Sequence, residues 1–211
     1  MKKITLLLVL FITVISFAQN DTDAKKILNE VSAKMKNYET LYVEFRNSLD
    51  NKEQDVHQIT KGNVSLKGDL FLVNLLGITT IFDGKQVYSI NPEDEEVNIA
   101  EQDEDTFTPA QFFSFYEEGY TFEMAKMTSE NGQKLQFIKL LPIDNESEFN
   151  YVLLGIDSNT MHIKTIIQKG KNGTDYTLTI TNFKTNIELS SKLFTFNKSK
   201  YEEKGFIINE L

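Results

Sequence analysis

Thr80-Ile81-Phe82-Asp83-Gly84-Lys85-Gln86-Val87-Tyr88-Ser89-Ile90-Asn91-Pro92 is the stretch whose reading decides the fold class. An Asp-Gly pair stands between two runs of apolar and β-branched residues. Such a pair supplies the positive φ angles of a type I′ turn, so a tight β-hairpin is expected, turning at Asp83-Gly84. Pro92 lacks the N–H that would extend a ladder, so the second strand should stop at Asn91.

The same β grammar spreads outward from this hairpin. Leu41, Val43 and Phe45 alternate with Tyr42, Glu44 and Arg46, giving one apolar face. Residues 54–67 form a further candidate strand with Val64 and Leu66 on one face, and 70–73 is a short, continuously apolar run. Strands are expected again at 97–100, 120–127, 134–141, 149–157, 162–169, 175–183 and around Phe194-Thr195-Phe196. Asp157-Ser158-Asn159 and Lys171-Asn172-Gly173 carry turn chemistry between them. Two segments depart from the pattern. Residues 23–36 place Ile27, Leu28, Val31 and Met35 at helical spacing behind a capping Asp23. Thr108-Pro109 opens a short helix that holds Phe112, Phe113, Phe115 and Tyr116. The chain is therefore read as mainly β: about 10–11 short strands in an antiparallel meander that curls into an unclosed barrel, with an N-terminal helix and a short inserted helix. No linker rich in Pro, Gly or Ser divides it, so residues 19–211 are read as one domain.

The first residues read as an export signal. Lys2 and Lys3 precede an apolar run over 4–17, and Ser16-Phe17-Ala18 puts small residues at the −3 and −1 positions of a cleavage site. Residues 1–18 are assigned to a signal peptide cleaved after Ala18. A retained anchor is the alternative, but the apolar run falls short of the roughly 20 residues of a membrane span. The remaining chain is expected to be soluble and periplasmic.

Composition narrows the chemistry. The 211 residues contain no Cys, so disulfides, thiol nucleophiles, lipid attachment through Cys and Cys-ligated metals are all excluded. Loss of Lys2 and Lys3 takes the formal charge from −9 to −11, a surface that disfavours nucleic acid and anionic lipid headgroups. The two histidines, His57 and His162, sit in separate strands. There is no Gly-x-Ser-x-Gly elbow, His-Glu-x-x-His, P-loop or dinucleotide-binding glycine pattern. The chain is read as a binding protein rather than an enzyme, with no cofactor and no metal.

Two features carry functional content. From Gln86 to Ala125 there are eleven acidic residues and no Lys or Arg. Glu93, Asp94, Glu95 and Glu96 head this stretch, which is either a solvated acidic loop or a docking site for a basic partner. The aromatic segment at 112–116 either plugs one end of the barrel or closes a cavity for apolar ligands. Strand alternation and this segment together assign Val43, Phe45, Leu66, Leu72, Phe112, Phe113 and Phe115 to the ligand-facing surface. Each methylene buried there would contribute roughly 0.8 kcal/mol.

Over almost its whole length the chain resembles the periplasmic outer-membrane lipoprotein carriers, the LolA family. The resemblance rests on the opening helix leading into Tyr42-Val43-Glu44-Phe45 and on Lys61-Gly62-Asn63-Val64-Ser65-Leu66-Lys67. It rests further on the hairpin Asp83 to Pro92, on Thr108-Pro109, on Gly155-Ile156-Asp157 followed by 163–168, and on Phe194-Thr195-Phe196. It implies a helical lid over a hydrophobic cavity that takes the acyl chains of lipidated proteins. It further implies a monomer that receives cargo from an inner-membrane release complex and passes it to an outer-membrane acceptor. A module on the same fold that senses lipid or lipoprotein and regulates a membrane partner is the alternative, and a secreted hydrolase a distant third. An arginine that locks the lid in the family has no counterpart in Lys67-Gly68-Asp69-Leu70-Phe71-Leu72-Val73, so that latch does not carry over.

Overall fold

A computed structural model describes residues 22–102, 108–130 and 132–211. The signal segment 1–18 with its cleavage point after Ala18, and Asp103, Glu104 and Asp105 of the acidic stretch, lie outside the described residues. The described strands form one sheet of twelve, in the order β12-β6-β5-β4-β3-β2-β1-β11-β10-β9-β8-β7. Its two edge strands do not pair with each other, so the sheet is unclosed, as the pattern predicts. The strands are β1 Thr40–Asn51, β2 Val56–Lys67, β3 Leu70–Leu75, β4 Ile78–Phe82, β5 Gln86–Asn91, β6 Glu96–Glu101, β7 Tyr120–Glu130, β8 Gln133–Pro142, β9 Phe149–Asp157, β10 Ile163–Gly170, β11 Thr174–Thr185 and β12 Ile207–Glu210. The described residues divide into two compact units, those within 22–36, 50–55 and 116–177 forming one and those within 37–49, 56–115 and 178–211 the other.

The first unit combines a helix, α1 (residues 22–36), with the meander β7–β10. Ala24, Leu28 and Val31 recur at steps of four and three, and all three are buried, because those steps return to one face of an α-helix. Ile27 and Met35 flank this stripe half-buried. In the meander Ile138 pairs with Leu154 and Leu140 with Val152, and all four side chains are fully buried. Gly155 lies opposite Phe137. A Cβ at Gly155 would stand 2.6 Å from Thr165 Cγ2 and 2.9 Å from the Phe137 ring, so the ring occupies the space that glycine leaves.

The second unit contains the decisive hairpin, and its turn differs from the expectation. Phe82 pairs with Val87, and the Asp83 N–H donates to the Gln86 carbonyl at 3.3 Å. The turn residues are thus Gly84-Lys85, with positive φ at Gly84 alone (97°). That is the type II′ pattern, one residue later than an Asp-Gly type I′ turn. The cause is the Asp83 side chain. Its Oδ1 accepts from the Lys85 and Gln86 N–H groups, both at 2.9 Å, and its Oδ2 accepts from the Tyr88 hydroxyl at 2.7 Å.

Register assigns the two faces of β2–β6. On one, Ile81, Tyr88, Ile90, Val97 and Ile99 form a buried cluster covered by Phe196, Tyr201, Phe206 and Ile208. Phe196 stacks on Tyr88 at 4.6 Å and on Tyr201 at 5.3 Å. On the other, Leu66, Phe71 and Phe82 lie in successive register positions, and all are buried.

Three further expectations are corrected. The region around Phe194-Thr195-Phe196 is not a strand: a 3₁₀ turn (Ser191–Phe194) ends there, and a short helix α2 (Lys198–Glu202) follows. The strand sought there lies later, in β12, which pairs parallel with β6 (Val97 to Ile208) and brings the total to twelve. The inserted helix is two single 3₁₀ turns, Gln111–Phe113 and Phe115–Glu117.

Candidate functional site

The site is built outward from β1 and β2. Val43 and Phe45, two apart on β1, share a face. Phe45 lies over Gly62, where a Cβ would come within 2.6 Å of its ring. Gly62, Val64 and Leu66 alternate along β2, so the Phe45 side is also the side of Leu66. Phe71 and Phe82 continue it across β3 and β4, their rings stacked with centroids 5.4 Å apart. Val43 and Leu66 are buried and Phe45 half-buried. Leu72 is not on this face. It pairs with Ser65 and Ile81 and packs against the cluster beneath Phe196. Its neighbour Phe71 takes the position beside Leu66, because successive strand residues point to opposite sides. Phe71 and Phe82 are the residues that the sequence reading missed. The register through Asp83-Gly84 would have found Phe82, but an unbroken apolar run gives no parity for Phe71.

The aromatic turns begin with a reciprocal pair of hydrogen bonds. The Thr108 N–H donates to Gln111 Oε1 at 2.7 Å, and the Gln111 N–H donates to Thr108 Oγ1 at 3.3 Å. Phe113 is buried and meets Phe183 edge-to-face at 6.2 Å, and Phe183 in turn meets Tyr38 at 6.4 Å. Phe112, half-buried, lies 5.5 Å from the Phe113 ring and 6.3 Å from that of Phe115. Phe115 is also half-buried.

Tyr116 belongs to the first unit. It is buried, and its hydroxyl is hydrogen-bonded to Ser32 Oγ of α1 at 2.9 Å. Burial raises its pKa; the Ser32 bond opposes this and the Glu117 charge adds to it. Glu117 pairs with Lys36 at 3.1 Å. Hydrogen bonds from Ser32 and then Lys36 hold its carboxyl below the usual range. A groove of about 440 Å³ runs beside these residues, bordered by Leu28, Asn29, Ala33 and Phe122.

A larger cleft, of about 700 Å³, opens in the second unit where β1, β2 and the β3–β4 hairpin meet. Phe45, Leu75 and Ile78 give it an apolar side, while Arg46, Lys61 and Asn63 give it a polar one. Of the residues assigned to apolar ligand, Phe45 alone borders it; Val43, Leu66 and Phe113 are packed away from water.

The acidic residues fall at the β5–β6 turn. Glu93, Asp94 and Glu95 are exposed, and Glu96 is half-buried at the first position of β6. Asn91 organises the turn: its Oδ1 accepts from the Glu93 and Asp94 N–H groups, and its Nδ2 donates to Asp94 Oδ2 at 2.6 Å. Among the described residues no group of three His, Asp or Glu is placed to hold a metal ion, and no helix is long and apolar enough to cross a membrane.

Solved structures share this fold at low identity. An uncharacterized conserved protein from Thermus thermophilus is 13% identical over 90% of this chain and 99% of its own, with a TM-score of 0.55. LprF from Mycobacterium bovis is 10% identical over 80% of this chain and 95% of its own, with a TM-score of 0.51. A LolA superfamily protein from Nitrosomonas europaea is 14% identical over 82% of this chain and 97% of its own, with a TM-score of 0.45. No curated protein sequence matches. Residues 36–197 match the model of the outer membrane lipoprotein carrier protein LolA, a stretch that includes the Asp83–Tyr88 hairpin, the Phe45–Leu66–Phe71 face and the aromatic turns, and the chain belongs to that family.

Proposed function

We propose that the exported chain, cleaved after Ala18, carries the acyl chains of lipidated proteins through the periplasm, from an inner-membrane release complex to an outer-membrane acceptor. The observation that carries this reading is the apolar face of Val43, Phe45, Leu66, Phe71 and Phe82 in a chain of the LolA family, with Phe112, Phe113 and Phe115 in the same unit. The role needs no bond-making. An acyl chain leaving a bilayer for a protein face exchanges one apolar environment for another. The roughly 0.8 kcal/mol per methylene that keeps it out of water therefore largely cancels between donor and carrier. Transfer in either direction is then decided by the partner proteins and by how readily the face opens. Because Val43, Leu66 and Phe113 are buried, cargo entry requires the aromatic turns to move, with Phe113 leaving Phe183. The Glu93 to Glu96 turn is the docking surface for a basic partner.

Depletion in the parent cell, followed by fractionation of lipoproteins between the two membranes, tests the role. Lipoproteins are expected to accumulate in the inner membrane; unchanged sorting overturns the carrier reading. Intact mass of the periplasmic form is expected to start at Gln19, and a species retaining Met1 in the membrane fraction contradicts export by cleavage.

A further inference from the structure

The β3–β4 hairpin places a leucine where two local rules disfavour it. Leu75 pairs with Ile78, leaving a two-residue turn of Leu76 and Gly77 with φ of 55° and 81°. Positive φ at both central positions defines a type I′ turn, a site for Asn, Asp or Gly. A bulky L-residue at positive φ is a backbone outlier. Leu76 is also 70% exposed, so its side chain gains nothing from burial in return. A residue costly in both backbone and solvation terms points to a contact made outside the folded chain.

The surroundings indicate the chemistry of that contact. The tip borders the 700 Å³ cleft, whose rim carries Arg46 and Lys61. Arg46 is the only arginine in a chain of formal charge −9, and among the described residues neither cation forms an ion pair. Glu44 also borders the cleft, and its carboxylate accepts from the Tyr42 hydroxyl at 2.8 Å, so the rim keeps a local excess of one positive charge. Below the tip a polar ladder fixes the hairpin: Asn74 Nδ2 donates to Asn63 Oδ1 at 2.9 Å, and Thr79 Oγ1 donates to Asn74 Oδ1 at 2.7 Å. A rigid post with one apolar tip and two cations behind it matches a bilayer surface, where phosphate lies just outside the acyl boundary.

We propose that the Leu76-Gly77 tip is a membrane-contacting element: Leu76 enters the acyl boundary of a bilayer while Arg46 and Lys61 engage lipid phosphate. One inserted leucine makes a weak, reversible anchor. This suits a protein that visits a membrane and leaves it, and the inference deepens the carrier reading by supplying the place where cargo meets lipid.

The test uses the absence of tryptophan from the chain. Leu76→Trp makes the tip its only indole. Its emission is expected to shift blue on adding phosphatidylcholine vesicles that contain phosphatidylglycerol, and to be quenched by brominated acyl chains. Leu76→Asn is expected to lower vesicle co-flotation by about tenfold or more, with no loss of fold, since Asn suits the turn. Arg46→Gln with Lys61→Gln is expected to lower it several-fold at low salt and little at high salt. An unshifted indole, or co-flotation of Leu76→Asn equal to the parent chain, overturns the proposal; a shift produced only by a protein partner does so too. Binding of a fluorescent acyl probe to the same proteins separates the two readings. A parent chain that inserts in vesicles yet binds no probe would sink the carrier reading and leave this one standing.

Discussion

Tyr88→Phe removes one hydroxyl at the centre of the decisive hairpin. The phenyl ring still stacks on Phe196, 4.6 Å away, so burial and ring contact are retained and only the hydroxyl is lost, with its bond to Asp83 Oδ2 at 2.7 Å and its longer contact to Gln86 Oε1 at 3.2 Å. A hydrogen bond to a charged acceptor contributes about 1.5–3 kcal/mol, and Asp83 keeps its two backbone donors, so a loss of about 1.5–2 kcal/mol is expected at neutral pH. The pH dependence identifies the source. For Asp83, burial works upward, but the bonds from Gln86, Tyr88 and Lys85 together hold its carboxyl below the ordinary value. A depressed carboxyl contributes stability above its unfolded pKa and loses it as pH falls through the folded one. Tyr88 is pushed up to about 12, first by burial and then by the Asp83 bond and charge. A raised phenol contributes fully below its unfolded value near 10 and loses that contribution as pH climbs toward about 12. The stability difference between the parent chain and Tyr88→Phe should therefore be greatest between about pH 4 and 10 and shrink on both sides. Urea unfolding of both proteins from acid to alkaline pH measures it. A difference that stays flat across that range, or stays below about 0.5 kcal/mol throughout, refutes the reasoning.

Three other outcomes are expected. Phe45→Glu places a charge beside the 700 Å³ cleft at a half-buried position; it should weaken acyl-probe binding by at least about tenfold while circular dichroism is unchanged, and undiminished binding would remove Phe45 from the cargo face. Neutralising Glu93, Asp94, Glu95 and Glu96 should slow association with a basic partner at low salt, with the effect fading as the Debye length falls from ~10 Å at 0.1 M; equal rates across a salt series would make the turn a solvated surface. Gly155→Ala drives a methyl to 2.6 Å from Thr165 and 2.9 Å from Phe137; a loss of about 1–3 kcal/mol in urea titration is expected, and a neutral result would mean the ring moves aside freely.

How much of this was legible depended on whether a residue's local chemistry settles its neighbours. The β character of the chain was legible, because alternation at 41–46 and the Asp-Gly turn are local signals. The type of that turn was not, since it depends on Asp83 accepting from two backbone N–H groups rather than on its tolerance of positive φ. Thr108-Pro109 was legible as the approach to a helix, but the first 3₁₀ turn is capped later, at Ala110, without a side-chain bond. The segment's division into two single 3₁₀ turns, Gln111–Phe113 and Phe115–Glu117, has no local sequence signal that separates it from an α-helix. Leu72 was grouped with Val43, Phe45 and Leu66 although it lies on the opposite face of the sheet, because Leu70 to Val73 has no polar residue to mark parity. The four residues of β12 were invisible: Ile207–Glu210 is short, and its parallel partner lies far back in the chain. The cleft was equally hidden, because residues from five strands meet there.

The late arrival of β12 also bears on how the protein matures. Asn209 bonds Asn98, 111 positions earlier in the chain, and the Phe196, Tyr201 and Phe206 rings that roof the Ile90–Val97 cluster come from the same late segment. In a chain emerging from its N-terminal side, β6 is present long before anything can pair with its outer edge or shield the greasy patch beside it. An open strand edge next to apolar surface invites self-association. Maturation therefore has a vulnerable interval that closes only with the last strand, and a holdase chaperone would matter most during that interval.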